Sequence, residues 1–152
     1  MEKELNNKKG LPLAGHIREY YNIPETDIRT YSPLALAYIG DGVYDIVVRT
    51  FIVENGNAPV NKLHRETARM VKASAQAKLF RKIERHLTQE EMAIFKRGKN
   101  AKSISVAKNA SRRDYRIATG LEALIGYLYL TDQTERILDL LKMQLVPEDK
   151  TK

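Results

Sequence analysis

Two carboxylates stand out because each lies in an apolar, glycine-flanked stretch. Asp41 sits in "AYIGDGVYD" (residues 37–45), between Gly40 and Gly42, and Glu122 sits in "GLEALIGYLYL", beside Gly120, Ala123 and Gly126. A glycine inside a helix costs roughly 1 kcal/mol relative to alanine. An ionised carboxylate taken out of water protonates, finds a cation or escapes burial. Small residues let helices approach closely, so the two segments are expected to cross with both acids at one cleft. Hard oxygen ligands on rigid helices suit Mg²⁺, which takes one or two carboxylates together with water and substrate phosphate. The competing reading of either acid is a helix-edge carboxylate paired with an Arg or Lys.

Other side chains narrow the chemistry. Asp45 lies one turn after Asp41 on the same face, either as a further ligand or as an acid behind the site that pairs with Arg49 at i+4. His16, His64 and His86 are far apart and in no ligand spacing, which makes them structural or surface residues. The chain has no cysteine, so disulfides and thiolate metal sites are excluded. It has no glycine-rich phosphate loop, nucleophile elbow or Ser/His/Asp pattern. Phosphate chemistry would therefore depend on metal, and no nucleotide cofactor is expected.

The elements that must position these acids are helical. Ser32-Pro33 reads as a helix start, with the serine as cap and proline in the first turn. From there Ile39, Val43, Ile46 and Val47 form a core-facing stripe, and the run continues to "ENGNAP". A second helix is expected from about Val60 to His86, a stretch without Gly or Pro. A third opens at the capping box "TQEE" from Thr88 and ends near Gly98. The segment "YRIATGLEALIGYLYL" aligns Leu121, Leu124, Ile125 and Leu128, and "TERILDLLKMQL" supplies a final amphipathic helix. No period-two alternation persists, so an all-α fold is expected. The domain would span residues 31–146, preceded by a partly disordered extension (1–30) with one short helix in "LPLAGHIREYYNI" and followed by a flexible tail (147–152).

The 152 residues carry a net charge of +7, which points to an acidic partner such as nucleic acid. Between Lys96 and Arg116 eight bases (Lys96, Arg97, Lys99, Lys102, Lys108, Arg112, Arg113, Arg116) face one acid, Asp114, so this window reads as the one concentrated basic segment. It is expected to be a mobile loop that grips the phosphates of such a partner, with Ser103, Ser105, Asn109 and Ser111 donating hydrogen bonds beside the charges. No apolar run is long enough to span a bilayer and the first residues lack a signal-peptide core, so a cytoplasmic, membrane-free protein is expected.

At the two acidic helices the sequence resembles a ribonuclease III catalytic domain. "LALAYIGDGVYD" is similar to the family's signature helix, commonly LExLGDxxL, and "GLEALIGYLYLTD" to its partner, commonly DxxEALIGAIYLD. "LHRETARMVKASAQA" and "KRGKNAKS" strengthen the match, and with no double-stranded-RNA-binding domain following, the Mini-III subfamily fits best. The resemblance implies that Asp41 and Glu122 are the Mg²⁺ ligands and catalytic residues. It also implies a homodimer that cuts double-stranded RNA into 5′-phosphate and 3′-hydroxyl ends, with precursor large-subunit ribosomal RNA as the substrate. Two family acids are replaced, by Ala37 and by Thr119, so the site should be poor in carboxylates, with Thr119 and Asp45 as possible supporting residues. Loss of those acids leaves a non-catalytic RNA-binding protein as the competing function. A helical protein-interaction module, without RNA affinity, is a third.

Overall fold

The computed structural model describes residues 10–102 and 111–147. They form seven α-helices: α1 (Leu13–Tyr20), α2 (Pro33–Glu54), α3 (Val60–Val71), α4 (Ala73–Ile83), α5 (Gln89–Lys99), α6 (Arg112–Leu130) and α7 (Thr134–Leu145). Short 3-10 turns occupy Ile28–Thr30 and Glu84–His86, and the described residues contain no strand. The fold is all-α, as the patterning predicts. None of the described helices is long and apolar enough to cross a membrane.

Helix α6 runs through the centre, packed by α2, α5 and α4. Its predicted stripe is fully buried: Leu121, Leu124, Ile125 and Leu128 have no exposed surface. Local caps begin the neighbouring helices where the sequence places them. The Ser32 hydroxyl accepts from the Ala35 N–H at 3.1 Å. At α5, Thr88 Oγ accepts from Glu91 N–H while the Glu91 carboxylate accepts from Thr88 N–H. On α2 the core stripe is Leu36, Gly40, Val43, Tyr44, Val48 and Ile52. Ile46, expected in that stripe, is 59% exposed because it lies on the opposite side of the helix.

Two boundaries differ from expectation. The single helix over 60–86 is broken at Lys72, whose backbone is extended (ψ 155°) although neither Gly nor Pro is present. A helix end frees its last carbonyls, which then need other partners. Here two side chains supply them: the buried Gln76 amide donates to the Val71 carbonyl at 2.9 Å, and the half-buried Gln144 amide, from α7, donates to the Met70 carbonyl at 2.8 Å. Helix α6 also starts earlier than predicted. Ser111 Oγ accepts from the Asp114 N–H at 3.0 Å, so Arg112 and Arg113 occupy a helical first turn rather than a loop. Residues 103–110 of the expected loop, with Ser103, Ser105, Lys108 and Asn109, lie outside the described residues, as do most of the N-terminal stretch and tail expected to be disordered.

Candidate active site

Helices α2 and α6 cross at a pair of glycines. A Cβ on Gly40 would lie 1.7 Å from the Glu122 carbonyl oxygen, and one on Gly126 would lie 1.9 Å from the Leu36 carbonyl oxygen. Each glycine thus accommodates the backbone of the facing helix, and the Glu122 main chain is seated directly on Gly40. Gly42 faces open space and takes no part. Gly120 serves a different crossing, that of α5, where an added Cβ would meet Phe95 at 2.7 Å.

The crossing brings the two predicted acids together. Asp41 is exposed and Glu122 half-buried, and their side chains are within hydrogen-bonding reach. Burial, then the hydrogen bond and charge of Asp41, push the Glu122 carboxyl up to about 8; a hydrogen bond from Gln76 acts in the opposite direction. The Gln76 amide nitrogen stands 3.4 Å from Glu122 Oε2. Tyr44 lies in the same buried layer, its hydroxyl against Gln144 Oε1 and 3.3 Å from the Met70 carbonyl. Burial drives its pKa upward, and the Glu122 charge adds to this.

The surrounding side chains define what this pair can do. Among the described residues no ion pair reaches Asp41 or Glu122, and no group of three or more His, Cys, Asp or Glu assembles. Asp45 pairs with Arg49 at 2.5 Å, one of the two readings its spacing allowed. The buried Thr119 hydroxyl donates to the Tyr115 carbonyl of its own helix, 3.0 Å away. Ala37 is buried and contributes no ligand. What remains is a pair of hard oxygen donors, converging and partly desolvated, with no ion-paired cation among the described residues. Such a pair suits a divalent ion that completes its shell with water and phosphate oxygens.

Sequence reasoning missed Gln76 and Tyr44. The only available signal was a lone amide and a phenol on otherwise apolar helix faces.

The expected RNA-binding residues are distributed over α5, the segment after it and α6. Arg97, Lys102, Arg112, Arg113 and Arg116 are exposed and Lys99 is half-buried. Arg116 also bridges to α5, donating to the Lys99 carbonyl and to Asn100 Oδ1. The basic charge is not confined to this segment. Lys62, Arg65, Arg69, Lys72, Lys78 and Lys82 are exposed on α3, α4 and the break between them.

A model of the ribonuclease III domain matches residues 34–133 of the chain. The chain belongs to the ribonuclease III family. It is 47% identical over 131 residues to the Mini-ribonuclease 3 of Clostridium tetani, covering 84% of this chain and 87% of that protein. It is 46% identical over 117 residues to the Mini-ribonuclease 3 of Enterococcus faecalis, covering 76% and 89%. A crystal structure of a Fusobacterium nucleatum protein superposes with a TM-score of 0.73 at 31% identity, over 79% of this chain and 98% of that one. The α2–α6 crossing falls within the matched ribonuclease III domain, and the chain is an endoribonuclease of that family.

Proposed function

We propose that this endoribonuclease cuts double-stranded RNA at the cleft where Asp41 and Glu122 meet, using Mg²⁺ held by those two side chains. The observation carrying the proposal is the convergence of two carboxylates at one helix crossing, with no ion pair to either among the described residues. When bound, Mg²⁺ would supply an activated water for in-line attack and offset charge on the leaving 3′ oxygen. The chain's own residues set the geometry. Gly40 seats the Glu122 main chain and Gly126 that of Leu36, and exposed Asp41 would face incoming phosphate. Arg97, Lys99, Lys102, Arg112, Arg113 and Arg116, with Lys108 in the segment between, would hold the phosphates of an A-form duplex, whose major groove hides its base edges. The bases exposed on α3 and α4 would add further phosphate contacts.

A catalytic domain over residues 31–146 would act as a homodimer, each protomer cutting one strand to leave 5′-phosphate and 3′-hydroxyl ends. Support for pairing comes from the outer face of α2, where Tyr38 is 83% and Leu34 40% exposed next to Asp41. By family resemblance the substrate is precursor large-subunit ribosomal RNA, matured in the cytoplasm. The test is incubation of long double-stranded RNA with the protein in Mg²⁺ or in EDTA, alongside Asp41→Asn. Cleavage should need Mg²⁺ and vanish in the variant while folding and RNA binding persist. RNA shifted but not cut by the native protein, or wild-type cleavage by Asp41→Asn, would overturn the proposal.

A further inference from the structure

The buried amide of Gln76 has two partners on opposite sides: the Val71 carbonyl at the end of α3 and the Glu122 carboxylate on α6. The side chain is 3% exposed and its Oε1 has no hydrogen-bond partner. Both partners are acceptors, so the amide has one sensible orientation, NH₂ toward both; the flipped form would set Oε1 against two oxygens. Packing alone does not call for an amide that leaves its own oxygen buried and unsatisfied. We infer that Gln76 is a positioning residue: clamped on the Val71 carbonyl at the Lys72 break, it holds the Glu122 carboxylate turned toward Asp41.

This inference rests on the metal reading above, because the geometry Gln76 would preserve is that of a divalent-ion pair. Partners that orient a ligand typically change metal affinity about 10- to 100-fold when removed. The experiment uses the full chain with Gln76→Met, which keeps the volume without the donor, and Gln76→Glu, which keeps the shape. Mg²⁺ binding to the RNA-free protein is measured by calorimetry, half-saturating Mg²⁺ by cleavage, and RNA affinity by filter binding in EDTA. The expected result is metal binding weakened about tenfold or more in Gln76→Met, with RNA affinity unchanged and the maximal rate restored by excess Mg²⁺. Adding Gln76→Met to Glu122→Gln should weaken metal binding no further.

A folded Gln76→Met protein with wild-type Mg²⁺ binding would overturn the inference. Failure of both variants to fold would do the same, by making the amide a part of the helix break alone. Glu122→Gln and Asp41→Asn are run alongside. If both bind Mg²⁺ as the native protein does, the metal reading itself fails, whatever Gln76 does.

Discussion

Replacing Gly40 with alanine tests the claim that helix proximity builds the site. The new methyl would stand 1.7 Å from the Glu122 carbonyl oxygen and 2.8 Å from the Gly126 nitrogen, both main-chain atoms that no rotamer change can move. Overpacking of this kind costs roughly 1–3 kcal/mol, and an obstacle made of backbone argues for the upper end. Alanine recovers about 1 kcal/mol of helix propensity, leaving a net loss of about 2 kcal/mol. For a chain of this size that lowers Tm by about 4–8 °C. The separation of α2 from α6 would also draw Glu122 away from Asp41, so cleavage of double-stranded RNA at saturating Mg²⁺ should fall by more than the folded fraction does. Gly42→Ala is the matched control: it meets nothing within 4 Å and should gain up to about 1 kcal/mol. Urea denaturation and a cleavage assay on both variants decide the matter. A Gly40→Ala protein as stable and as active as the native one would refute the argument.

Arg136 holds the nearly buried Glu91 at 2.8 Å and also donates to the His86 carbonyl. Arg136→Met should therefore cost about 2–3 kcal/mol at neutral pH in a denaturant titration, somewhat below the figure for a fully buried pair because Arg136 is partly exposed. The hydrogen bond from Arg136 holds the Glu91 pKa below the usual carboxylate range. This contribution is therefore present above that range and should fade as pH falls through the lowered value. Glu122 behaves oppositely. Its carboxyl is raised to about 8, so the metal-free native state holds a proton that the unfolded chain releases. Thermal melts without metal should show stability declining between about pH 4.5 and 8, and Mg²⁺ should raise Tm more at pH 8.5 than at pH 6. Neutralising the exposed Arg112 and Arg113 together should weaken RNA binding and reduce its salt slope by about 1.5, each lost phosphate contact removing 0.7–0.9; a filter-binding titration across salt concentrations checks it.

Features written in adjacent residues were readable from the chain. The Ser32 cap, the Thr88 capping box and the α6 stripe each depend on side chains three or four positions apart, and all appear where the pattern puts them. Asp41 and Glu122 were conspicuous because a charge among glycines in an apolar helix is locally expensive. The break at Lys72 was not readable. Nothing in "ARMVKASAQ" disfavours a helix, and the partners that end it are Gln76 and the distant Gln144. For the same reason Gln76 carried no mark of its contact with Glu122. The bases exposed on α3 and α4 leave little mark in the sequence, because they are interspersed with apolar and small residues rather than forming a run and acids elsewhere offset them in the total.

Gln144 belongs to α7, the last helix of the described chain, yet its amide completes the turn that seats Gln76. During synthesis Asp41 is made long before Gln144, the residue that completes that turn, and Glu122 only shortly before it. A growing polypeptide halted after α6 would carry the two acids without the finished support around them. On the proposed reading of the site, assembly from the far end would delay a competent cutting centre until α7 has been made, a useful order of events for an enzyme born among RNA.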